Sequence, residues 1–450
     1  MQSRAGNKRM TWLSSEGKLP GGTLNFVVVL EIHVGMFRIV AVFLLVLLPW
    51  SWANTLPSSD GGFTDWFWKR PLDKQGDLRI SSDLTGSPLV PETCGLCHVS
   101  QYTDWVGSRH ARAMGPGAIG QFFEMSREER QACLDCHAPL YEQFDALTRY
   151  LDDAQWDGAA ARLATAHGSD RPLHERGVMC GVCHIRGGQW YGPPRRIAPL
   201  SAEAMDTLPH GGWISTDAFE DSRFCAACHQ FPADGFSLNG KLIENTYEEW
   251  RRSPQAREGI GCQGCHMPDR RHLFRGIHDP DTVRAGVEVG SRSFSISKGD
   301  ARVLIFLTNT GTGHRLPTYV TPEIRLEAYQ QDANGVPIPD TEQIAWVARR
   351  VSIDLSVEHF DTRLSPGQTA VLAYRKPLSP RAVLLVGRVF VEPDALYSRI
   401  YEALLRMEPE EESAVLIRKA LAESKRSGFP IYEKYYPMGK DTDPLAHPEP

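Results

Sequence analysis

All ten cysteines of the 450-residue chain stand in five C-x-x-C pairs, and a histidine follows each pair at once. The motifs are Cys94/Cys97-His98, Cys133/Cys136-His137, Cys180/Cys183-His184, Cys225/Cys228-His229 and Cys262/Cys265-His266. Two thiols at this spacing can bond the vinyl groups of a haem while the adjacent imidazole takes the iron from one side. The pattern therefore predicts five covalent haem c groups. Zinc sites and thioredoxin-like pairs also use C-x-x-C, but neither requires a histidine after every second cysteine. Disulfides would leave no long-range bridge to staple the fold.

His98, His137, His184, His229 and His266 are the expected proximal ligands, and the opposite faces decide the chemistry. A second histidine closes an iron for electron transfer, whereas an empty face admits nitric oxide, nitrite or hydroxylamine. Of fifteen histidines, His33 lies in the N-terminal extension and His359 and His447 lie far beyond the motifs. Seven remain as distal candidates: His110, His314, His174, His210, His272, His278 and His167. His110 follows the first motif closely in Trp105-Val-Gly-Ser-Arg-His110, and His314 sits in the glycine-rich loop Thr310-Gly-Thr-Gly-His314-Arg-Leu-Pro-Thr318. If the second of these is a ligand, its loop docks the C-terminal half onto the haem region. Met114, Met179 and Met267 are further sixth-ligand types near the motifs. The count permits bis-histidine coordination throughout. Should one iron be open, His167, Tyr191 and Arg195 are polar groups near the motifs that could move protons.

The elements that hold these residues are short. From Cys94 to His266 five haems share 173 residues, roughly 35 each, too few to wrap every macrocycle in its own protein core. Packed haems must form much of that core, which also makes a path for electrons. Helices are expected over Arg127–Cys133, Leu140–Leu151 and Ala154–Ala166. A repeat, Tyr102-x-x-Trp105-x-x-Ser108 and Tyr247-x-x-Trp250-x-x-Ser253, reads most simply as aromatic packing against haem edges. After Asp281 alternating segments such as ARVLIFLTN, PEIRLEAYQ and AVLLVGRVFV, separated by turns like Asp332-Ala-Asn-Gly335, predict an antiparallel β-sandwich. Helical periodicity returns from Asp394.

The expected fold is thus α+β: a mainly α, loop-rich multihaem domain at 91–280 after a linker at 54–90, a β-sandwich at 281–393 and a helical tail at 394–450. The apolar run Phe37–Trp50, followed by Ser51-Trp52-Ala53, reads as a secretory signal within residues 1–53, with translation expected to start at Met36. The alternative is an uncleaved membrane tether from Leu24 to Trp50, against which Glu31 stands. Removing residues 1–53, with five basic and two acidic side chains, leaves 44 basic against 53 acidic. That balance argues against nucleic acid as a partner.

Cys94-Gly-Leu-Cys-His-Val-Ser-Gln-Tyr-Thr-Asp-Trp-Val-Gly-Ser-Arg-His110-Ala resembles the multihaem cytochrome family whose tetrahaem members accept electrons from hydroxylamine oxidoreductase. The resemblance covers about residues 91–270. It implies that His110 is a distal ligand and that paired haems relay electrons; members of the wider group act on small nitrogen or sulfur oxo-compounds. A fifth motif and an appended sandwich depart from the tetrahaem pattern, so partner and haem arrangement do not carry over. No C-x-x-C-Lys variant is present, which removes the lysine-ligated haem of the pentahaem nitrite reductases. The leading expectation is a periplasmic electron carrier between redox partner proteins. The alternatives are an oxidoreductase with one open haem and an electron-transfer subunit of a larger complex.

Overall fold

The computed structural model describes residues 27–34, 37–44, 62–78, 89–152 and 171–438. Two units separate, Met1–Pro57 and Ser58–Pro450. The first contains an antiparallel strand pair, β1 (Val27–Val34) and β2 (Phe37–Leu44). Among the described residues no helix is long and apolar enough to cross a membrane. The proposed cleavage residues 51–53 and the expected helix at 154–166 lie outside the described residues.

The second unit begins with a strap. Residues 54–90 were expected to be a linker, but Phe67 and Leu72 are buried against the haem-motif region. Aromatic residues without helical or strand periodicity look like a linker in sequence; here they pack on other segments. Three helices then lead into and past the second motif: α1 (Pro116–Phe122), α2 (Arg127–His137) and α3 (Tyr141–Asp152). Ser126 and Glu129 cap α2 reciprocally, satisfying donors that the first turn leaves open. The helix continues four residues past the expected end and carries the whole motif on its last turns.

From Val287 the chain forms two packed antiparallel sheets, as expected. One has the order β8-β4-β3, with β3 Val287–Ser297, β4 Asp300–Asn309 and β8 Thr369–Pro377. The other has the order β7-β6-β5-β9-β10, with β5 Glu323–Gln331, β6 Gln343–Val351, β7 Glu358–Asp361, β9 Leu384–Glu392 and β10 Phe429–Pro437. Alternate residues of β4, Ala301, Val303, Ile305 and Leu307, point into a core completed by Ile324, Leu326, Val389 and Val391. Each fully buried aliphatic side chain here contributes about 1.5–3 kcal/mol. The tail departs from expectation: helices α4 (Ala395–Arg406) and α5 (Glu411–Arg426) are followed by β10, which returns to pair with β9. Leu416 and Ile417 of α5 pack over α1, closing the second motif from outside.

Candidate haem centre

In a helix, residues i, i+3 and i+4 share a face, which is the spacing of the two cysteines and histidine in each motif. All five motifs take helical turns: the second within α2, the others within or directly after Pro91–Gly95, Cys180–His184, Arg223–His229 and Cys262–His266. The tyrosine-tryptophan repeat positions two of them. Trp105 Nε1 donates to the Val178 carbonyl and Trp250 Nε1 to the Ile260 carbonyl, 2.8 and 2.9 Å away. Each acceptor stands two residues before the first cysteine of a motif. The Val178 N–H bonds the His110 carbonyl and the Ile260 N–H bonds the Gln255 carbonyl, both at 2.9 Å. Ser108 and Ser253 each accept from the backbone three residues on. The repeat is therefore a duplicated clamp on the third and fifth motifs. It extends further than the sequence reading, for Gln255 occupies the place of His110 and Gly259 that of Gly177.

The motifs open onto one continuous cavity of about 3250 Å³, several times the roughly 300–1,000 Å³ of an ordinary small-molecule site. Across it histidine rings face one another in four pairs. His98 faces His210 with centroids 6.3 Å apart, His110 faces His229 at 6.3 Å, His184 faces His272 at 6.2 Å and His266 faces His314 at 6.4 Å. Imidazole binds first-row metals at about 2 Å, and the ring centre lies roughly 1.1 Å behind the nitrogen, so two imidazoles on one iron have centroids about 6.2 Å apart. The four pairs fit an iron between them.

The ring tautomers fit as well. The Nδ1 atoms of His184 and His266 lie 2.8 and 2.6 Å from the carbonyls of Tyr191 and Arg275. Those of His210 and His314 lie 2.8 Å from the carbonyls of Gly212 and Arg315, and that of His272 lies 3.1 Å from Arg270 O. An Nδ1–H held by a carbonyl leaves the Nε2 lone pair for metal. Burial pushes the pKa of His184 and His314 down to about 4, and burial with neighbouring His229 and His266 takes His110 to about 3. These rings are neutral at physiological pH, as a metal ligand must be.

Residues 93–185, spanning the first three motifs, match the family model described as cytochrome c554 and c-prime. The first three motifs thus lie in a stretch similar to a c-type cytochrome family. The fold is similar to that of a penta-heme cytochrome c552 from Thermochromatium tepidum, at 18% identity and a TM-score of 0.51, over 80% of this chain and 99% of that one. No curated protein matches the chain.

The remaining candidate ligands are placed differently. His137 Nδ1 lies 2.8 Å from Ala113 O, but among the described residues no histidine ring stands opposite it as in the other four pairs. His174 is buried against Tyr150 and off the cavity wall. His278 has its Nε2 2.9 Å from Asp394 Oδ1. Neither faces a proximal ring: His174 packs into the apolar cluster beside α3, and the carboxylate holds His278. His167 lies outside the described residues. A polar cluster that the sequence did not flag lines the cavity beside the second motif. In it Tyr397 stacks on Tyr401 with centroids 6.0 Å apart, and Arg109 lies 3.9 Å from Asp394. Burial raises the phenol pKa of Tyr319, Tyr397 and Tyr401.

Cysteines of different motifs also meet. Cys94 is in side-chain hydrogen-bond contact with Cys180, Cys136 with Cys228, and Cys225 with Cys262. In the haem-bearing protein these sulfurs are thioethers, so each contact marks where two attachment edges adjoin. The Arg70 guanidinium of the strap reaches both members of one contact, 3.2 Å from Cys136 Sγ and 2.8 Å from Cys228 Sγ.

Proposed function

We propose that the protein is a periplasmic pentahaem electron carrier that passes electrons between redox partner proteins through adjoining haems. The four facing histidine pairs carry this reading. In it the axial pairs are His98/His210, His184/His272, His229/His110 and His266/His314, with His137 proximal at the second motif. Bound haem supplies a one-electron iron couple. At the four paired motifs the chain would supply two imidazoles per iron, which would occupy both faces and leave no position for substrate there.

The penta-heme neighbour supports the count of five. The sulfur contacts support links from the first motif to the third and from the fourth to the second and fifth, and the nearness of Cys183 to Cys228 supports a link between the third and the fourth. Cys97 and Cys265 are exposed at its two ends, beside Leu96 and Val99 at 61% exposure and Ile260 at 39%. These apolar edges suit transient docking of redox partners. Residues 1–53 serve as the export signal in this reading.

A second reading, catalysis at one open iron, is favoured by His137 and the tyrosine-arginine cluster beside it. The test is ferric EPR together with the reduced visible spectrum before and after carbon monoxide. The carrier reading requires the four haems of the paired motifs to be low-spin and unresponsive to the gas. One high-spin, gas-binding haem moves the second motif to catalysis, and several would overturn the carrier reading.

A further inference from the structure

The strap brings two arginines to the place where the second, third and fourth motifs meet. Arg70 touches the sulfurs of the second and fourth motifs, as above. Arg186 follows the third motif by two residues, is 6% exposed, and lies close enough to Cys183 and Cys228 for their charges to act on it. Its Nε donates to Phe67 O at 2.6 Å, and its guanidinium sits 4.0 Å from the Phe67 ring centre and 4.8 Å from that of Trp68. Arg70 lies on Trp68 as well, at 5.9 Å. Among the described residues no carboxylate forms an ion pair with either arginine, and Arg186 Nη2 is buried without an acceptor. Asp135 lies close enough for its charge to act on Arg70.

A buried cation without an ion pair, Arg186, beside the half-buried Arg70 is costly unless something nearby compensates it. A haem iron loses one unit of positive charge on reduction, so a fixed cation at its edge favours the reduced state, most strongly where water is excluded. We propose that Arg70 and Arg186 raise the reduction potential of the haem on the fourth motif, which both approach, with Arg70 acting also on the second and Arg186 on the third, so that these three lie above the first and fifth. The fourth motif touches the second and fifth through its sulfurs and has Cys183 of the third nearby, so the raised potential makes it the point where electrons collect before leaving along either branch. The strap is then a redox-tuning element and not a tether.

This rests on the five-haem reading, and haem content per chain measured by pyridine haemochrome separates the two: fewer than five haems defeats that reading. The test is anaerobic spectroelectrochemical titration of the full, haem-loaded chain, with EPR on poised samples, for wild type, R70Q and R70K. In wild type three of the five one-electron steps should lie positive of the other two. In R70Q two steps should move negative by a tenfold change in the reduced-to-oxidised ratio, about 59 mV for one electron. R70K should stay close to wild type. The proposal is overturned if R70Q moves no step, if it moves all five alike, or if R70K moves them as far as R70Q, which would mark a packing effect. Should R70Q fail to take up haem, the wild-type titration decides alone, and five steps without a separated positive group of three sink the idea.

Discussion

The two halves of the second unit are held together in different ways. The sandwich buries alternate aliphatic residues of its own strands, so its core is written in the chain. The haem-motif region has only small apolar clusters around one large cavity, lined by histidines and cysteines from distant segments. In one half sequence order and spatial order nearly agree. In the other the contacts run from motif to motif, and the group that fills the space is not protein.

The sharpest way to break this contrast is to prevent haem attachment. A variant with all ten cysteines changed to serine should leave 91–280 open to limited proteolysis while the sandwich survives as a protected fragment. Equal protection of both parts would show that the haem region folds on its protein contacts alone. Next in size, H314A should convert one haem from low-spin to high-spin by EPR, with little change in the sandwich's unfolding temperature. Arg349 joins the halves: it is fully buried, 2.9 Å from Glu358 and bonded to the carbonyls of Leu238, Lys241 and Leu242. R349A leaves that carboxylate and those carbonyls unmatched and should cost about 3–5 kcal/mol, read in calorimetry.

A smaller effect comes from pH. Burial of Asp361 opposes its ionisation, but hydrogen bonds from Arg363 and Lys241 outweigh it and hold the carboxyl well below the usual range. A depressed folded pKa stabilises above the unfolded value of about 3.9 and loses that contribution as pH falls toward the folded value. The junction should therefore weaken below about pH 4, and D361N should flatten the dependence in melts compared at pH 5 and pH 3. Smallest of all, W250F removes one indole hydrogen bond from the clamp on the fifth motif, worth about 1 kcal/mol. Normal haem content with a slightly lower melting temperature is expected; loss of the fifth haem would mean that the clamp is needed for attachment.

The motifs were legible because their chemistry is local, two cysteines and a histidine within five positions. The facing rings were not, because the partners are far apart in the chain: His98 and His210 are separated by more than a hundred residues. In sequence His272 and His278 look alike, yet one ring faces His184 and the other is held by Asp394. The sandwich was legible from period-two burial in strands such as β4. Strand β10 was not, since Pro430 and Pro437 read as breakers; an edge strand tolerates them because half of its backbone groups need no partner. The strap gave no periodic signal because its aromatic side chains pack on arginine and sulfur from other segments.

One loop carries a consequence for how the molecule is made. His314, which faces His266, comes from the sandwich, and its backbone is tied to the helix Thr246–Arg251 by the Arg315 N–H on Glu249. The ribosome delivers that loop after all five motifs, and the sandwich cannot close until β10 emerges near the C-terminus. The fifth centre is thus the last to be completed. Its spin state during maturation would serve as a spectroscopic timestamp of when the two halves of the chain first meet.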